Sequence, residues 1–100
     1  MSVDADWLLQ HTRKSPSLLR GRVQQYAATA TAPTLAGALS VAAEAALTQV
    51  LSHPGDRSIA LDLLAADALI TLALLAQAQT APDQLEEFAI SVLGMWRSHP

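Results

Sequence analysis

Residues 59–76 read IALDLLAADALITLALLA, apolar around the whole circumference of a helix and interrupted only by Asp62, Asp67 and Thr71. A helix of a small soluble protein ordinarily keeps one wet face, so a helix that is apolar all round has to be covered on every side. Elsewhere apolar positions recur at helical spacing. Leu19, Val23, Tyr26 and Ala30 form one stripe, Leu35, Leu39, Ala42, Ala46 and Val50 a second, and Leu85, Phe88, Ala89, Val92 and Trp96 a third. The side opposite the second stripe carries Gly37, Ser40, Glu44 and Thr48.

Boundary residues divide the chain at the same places. Ser15-Pro16 predicts an N-cap followed by proline at the first helical position. Thr31-Ala32-Pro33 ends one helix and opens the next, and His53-Pro54-Gly55-Asp56 is a turn with Asp56 placed to cap the long third helix. Thr80 and Asp83 have the spacing of a capping box. The expected elements are an N-terminal helix or arm within 1–14, with Trp7 and Leu8 turned inward, then helices over 15–31, 34–52, 56–79 and 82–98 of one domain. Short connections make consecutive helices antiparallel neighbours, which gives an all-α, up-down-up-down four-helix bundle. Thr-Ala-Pro and Ser-His-Pro bracket both 31–54 and 80–100. A duplicated helical hairpin produces that echo, and so does ordinary helix-boundary chemistry.

Composition supports helices and narrows the function. Hydrophobic residues are 51% of the 100, charged residues 15% and aromatics 4%, a helix-forming mixture dominated by alanine and leucine. With no cysteine, disulfides, thiolate metal sites and cysteine nucleophiles are excluded. A formal charge of −3 argues against a dedicated nucleic-acid binder. The 59–76 run approaches membrane-spanning length, but two mid-run aspartates cost about 2.5–3.5 kcal/mol each near a bilayer centre. The opening MSVDADWLLQHTRK puts acids ahead of its apolar residues, unlike a secretory signal. A soluble, cytoplasmic protein with no membrane and no nucleic-acid partner is expected.

One small bundle has too few neighbours to cover the 56–79 helix. Asp62 and Asp67 stand about 140° apart on its wheel, so turning either toward water leaves the other facing protein. A second copy resolves the conflict. The expectation is a homodimer, two-fold symmetric as most dimers are, joined through the 34–52 and 56–79 helices.

Asp67 has Leu63, Leu64, Ile70 and Thr71 as helical neighbours, so only Thr71 offers it a local partner. A buried carboxylate there would pair with an arginine or tyrosine of another helix or subunit, or have a raised pKa; otherwise it points to solvent. Glu44 lies at a similar height, and Asp67, Thr71 and Glu44 form a candidate buried-polar or interface set. Glu44 also shares its side with Ser40 and Thr48, as on a solvent face. In an up-down bundle one end gathers His11, Arg13, Lys14, His53, Arg57, Arg97 and His99. Of these Arg13, His53, Arg57, Arg97 and His99 are candidate anion ligands beside two helix N-termini, although helix-dipole complementation explains the same residues. Four of the six cations, Arg13, Lys14, Arg20 and Arg22, crowd the first quarter of the chain. They fit a solvated face or a cross-subunit pairing with Asp67 or Glu86.

The stretch Leu64-Ala65-Ala66-Asp67-Ala68-Leu69-Ile70-Thr71-Leu72-Ala73 looks like a helix of trans-isoprenyl diphosphate synthases. Those enzymes are far longer and carry Asp-Asp-x-x-Asp motifs for magnesium diphosphate. This chain has no adjacent aspartates, and no residue role is carried over. Gly-rich phosphate loops, H-E-x-x-H, G-x-S-x-G and Cys-His clusters are absent too, so no catalytic residue, metal or cofactor is assigned. The sequence points to a non-enzymatic helical interaction or assembly module that self-associates or takes a protein partner. The alternative is a small-molecule or anion-binding bundle, or an enzyme, with its pocket near Asp67 or at the His/Arg-rich end.

Overall fold

The computed structural model describes residues 2–53, 55 and 57–97, the last three by backbone alone. They form five α-helices and one 3-10 turn, with no strand among them: α1 (Ala5–His11), α2 (Ser17–Ala27), α3 (Leu35–Ser52), α4 (Ile59–Thr80), the 3-10 turn (Pro82–Gln84) and α5 (Leu85–Arg97). The all-α class expected from the stripes is what the chain adopts. Its radius of gyration, 12.9 Å, matches the roughly 13 Å of a compact 100-residue protein.

α3 and α4 form the centre, packed on each other more extensively than any other pair. α2 rests on both, whereas α5 leans mainly on α4. The α3–α4 contact is built from small residues. Ala36, Ala38, Leu39, Ala42, Ala43, Ala46 and Leu47 of α3 are buried, as are Ala65, Ala66, Leu69, Leu72, Ala73 and Ala76 of α4. Among the described residues eleven of the eighteen buried apolar ones are alanine, so helix approach here is set largely by methyl groups. The buried positions of α4 fall at intervals of three and four, and Asp62 and Gln77 lie in the same register.

The consequence is an inversion of the usual arrangement. α4 turns Ala65, Ala66, Ala73 and Ala76 inward with Leu69 and Leu72, and leaves Leu63, Leu64 and Leu75 exposed. α1 is attached at its edge: Leu8 is buried, Trp7 is half-buried, and Trp7 Nε1 donates to Gln79 Oε1 at 3.2 Å. A lone bridge between Ser2 and Thr31 ties the segment before α1 to the connection between α2 and α3.

Helix ends differ in detail from the capping expected. α1 is capped by Asp4, whose Oδ1 accepts from the amides of Asp6 at 2.9 Å and Trp7 at 3.3 Å. α3 is capped by Thr34, whose hydroxyl accepts from Gly37 N at 3.0 Å. A Cβ on Gly37 would stand 3.0 Å from that same hydroxyl, so the cap fits closely only because residue 37 is glycine. α2 starts at Ser17, with Pro16 rather than Ser15 at the cap position, one residue later than the proline rule placed it. The capping box at Thr80 does not form. Thr80 donates back to the Ala76 carbonyl at 2.9 Å, and the chain enters α5 through the 3-10 turn. α4 begins at Ile59 with Ser58 at its cap position; Asp56 lies outside the described residues.

Because the α3–α4 contact is filled by methyl groups, enlarging one is costly. Ala42→Leu, at a fully buried position, is expected to lower unfolding free energy by about 1–3 kcal/mol in urea titrations, the usual range for an overpacked core. Val41→Leu at the exposed neighbour is expected to stay within about 0.5 kcal/mol.

Candidate functional site: an apolar groove and a buried ion pair

Two places collect chemistry. The first is a groove of about 360 Å³ between α4 and α5, lined by Asp67, Ile70, Leu74, Ala89, Val92 and Leu93. Asp67 is exposed at its edge. Thr71 is exposed as well and bonds to the backbone carbonyl of Asp67 at 3.0 Å, not to its carboxylate. Glu44 is exposed on α3. Within one chain, therefore, none of Asp67, Thr71 and Glu44 is a buried polar group. The groove continues into apolar surface: Leu63, Leu64 and Leu75 on α4 and Ile90 and Leu93 on α5 are exposed by 39–63%.

The second place lies on the opposite flank of α4. Asp62 is only 2% exposed, and its Oδ1 accepts from Arg22 Nη1 and, at 2.8 Å, from Tyr26 Oη. Arg22 and Tyr26 are four residues apart on α2, so one helical face presents both donors to one oxygen. The pairing expected for Asp67, with an arginine or tyrosine from another helix, is made by Asp62 instead. It is made within the chain. Burial, the hydrogen bond to Asp62 and the Asp62 charge push the Tyr26 phenol up to about 12 from an ordinary 10.0. Its hydrogen bond to Asp62 likewise raises the Arg22 guanidinium. Arg22, Gln25, Tyr26, Thr29, Gln49, Ser58 and Asp62 surround an open polar cleft of about 410 Å³.

The wheel angle between Asp62 and Asp67 was visible in the sequence, and so was the Arg22/Tyr26 spacing. What was missing is the side of α4 on which α2 lies. Once α2 rests there, the nearer aspartate receives both donors and the other faces water.

Among the described residues, those expected at the His/Arg-rich end do not line one common cleft. Gln10, His11, Arg13 and Lys14 line one shallow cleft, without His53 or Arg57. The His11 ring stacks on Trp7 with centroids 4.1 Å apart, and its Nδ1 lies 2.8 Å from the Trp7 carbonyl oxygen. His53 is exposed, its Nδ1 3.2 Å from the Gln49 carbonyl oxygen, the end-of-helix role that dipole complementation predicts. Arg57 is exposed; the Arg97 side chain and His99 lie outside the described residues. Among the described residues no three His, Cys, Asp or Glu side chains are grouped to hold a metal.

No family model, curated protein or solved structure matches this chain. Its site therefore has to be read from its own geometry. By length and composition α3 and α4 are each long and apolar enough to cross a membrane, with 39% of the relevant window buried inside the protein in each case. Buried core helices of soluble proteins pass the same test.

The buried pair yields two expectations. Arg22→Met leaves the Asp62 carboxylate with only Tyr26, and stability should fall by about 1–3 kcal/mol, less than for a fully buried pair because the Arg22 side chain is 28% exposed. Arg22→Met combined with Asp62→Leu should recover most of that loss, as a double-mutant cycle in urea would read. Tyr26 is the only tyrosine, so its phenolate absorbance can be titrated directly. Its midpoint should lie near 12 and move back toward 10.0 in Asp62→Asn. Since the folded state favours the protonated phenol, its contribution is complete below about pH 10. It falls away as pH rises toward 12, a loss of about 1–2 kcal/mol after solvent screening.

Proposed function

We propose that this chain is a non-enzymatic helical assembly module that pairs with a second copy of itself, its α2–α5 helices making up a four-helix bundle. The observation that carries the reading is the inverted burial of α4. A helix that buries four alanines and two leucines but exposes Leu63, Leu64 and Leu75, beside Ile90 and Leu93 of α5, presents more apolar surface than scattered leucines on a monomer would. The alanine face of α3 is already covered by α4, so the surface open to a partner lies on α4 and α5 rather than on α3 and α4. An open groove with one carboxylate and an apolar floor suits a helix laid along it better than a small ligand, which an enclosed pocket with convergent polar groups would favour. A cytoplasmic protein is part of the same reading. Asp62 and Asp67 on α4 and the lack of cysteine favour water over lipid and a reducing compartment over an oxidising one.

Solution mass tests the proposal. Light scattering after size exclusion, over a hundredfold range of concentration, should give two chains at the upper end. A single-chain mass at every concentration would overturn self-association and turn the groove toward a different protein.

A further inference from the structure

Among the described residues, Leu18 is the most exposed large apolar side chain, at 77%. It stands in the first turn of α2, directly after a turn carrying exposed Arg13 and Lys14. Arg20 Nη1 donates to the Arg13 carbonyl at 3.4 Å, which ties that basic turn to the start of α2. A lone exposed leucine means little. This one is an apolar knob set beside cations.

The groove between α4 and α5 is its chemical complement. Ile70, Leu74, Ala89, Val92 and Leu93 give it an apolar floor, and Asp67 gives it an acid. Glu86 is exposed in the first turn of α5, three residues before Ala89 and so on the same side of that helix. No cation among the described residues lines the groove. Packing the α4 stripes of two copies face to face about their middle would bring two Asp67 carboxylates together, an unfavourable juxtaposition. Docking an apolar knob flanked by cations covers the same surface and neutralises the acid.

We propose that the groove of one copy receives the Leu18 knob of the other, and that the contact is made twice across a two-fold axis. The inference rests on the self-association reading and specifies its two faces. A chain does not fill its own groove, because Leu18 stands in water.

The test is a charge-swap rescue at two exposed positions. Leu18→Glu puts an acid on the knob, and Leu93→Lys puts a cation in the groove; circular dichroism should show native helix content in both. At a concentration where the native chain has two-chain mass, each variant alone should run as a single chain, with association weakened at least tenfold. An equimolar mixture should return to two-chain mass, since each mixed pair holds one native contact and one contact between the introduced acid and the introduced cation. Raising salt should weaken native association several-fold. The proposal is overturned if the native chain associates while both variants still pair as it does, or if the mixture stays single-chain. A native chain that is single at all concentrations would remove the self-association reading itself.

Discussion

Alanine-rich faces meeting between α3 and α4, with Leu39 and Leu69 fully buried among the methyl groups, bring two long helices together, and most of the remaining architecture follows from that contact. Ala42, Ala43 and Ala46 on one side and Ala65, Ala66, Ala73 and Ala76 on the other are buried completely or nearly so. Small residues at a helix contact allow close approach, and close approach leaves little freedom for either helix to turn about its own axis. Once α4 presents its alanines to α3, its leucines at 63, 64 and 75 have nowhere to go within the chain. The apolar exterior is thus a consequence of how the interior is filled.

The Arg22–Tyr26–Asp62 cluster acts in the same direction. A carboxylate placed in the buried register of α4 is tolerable only where donors meet it, because an uncompensated buried charge is among the costliest features a fold can carry. α2 supplies both donors from one face. This arrangement fixes which side of α4 lies under α2, and with it the outward direction of Asp67 and Thr71. The interior polar group and the exterior groove are two readings of one helix rotation.

α5 completes the groove without closing it. Val92 is buried and Phe88 is partly buried against the core, which anchors the helix on α4. Ile90 and Leu93 lie beyond that contact and stay exposed. The groove is therefore bounded on both sides by apolar residues, has a single acid at its edge, and is open along its length. Those properties are the ground for proposing a helical partner with complementary charge rather than an enclosed ligand.

The sequence alone determined the helical class, the approximate limits of the helices and the inward stripes of α2, of α3 and of α5 as far as Val92 (the Trp96 side chain lies outside the described residues), because these depend on periodicity and boundary residues that act locally. It also showed that α4 has more apolar circumference than one small protein covers, and that one of its two aspartates has to face protein. Only the tertiary structure decided which one. Asp62 has Ser58, Ile59, Ala65 and Ala66 as helical neighbours and Asp67 has Leu63, Leu64, Ile70 and Thr71, but the choice between them rests on where α2 settles, a contact spanning 40 residues of chain. The same holds for the groove between α4 and α5. Helix rotation and packing partner are non-local, and a pattern that is apolar all round carries no signal to choose among rotations.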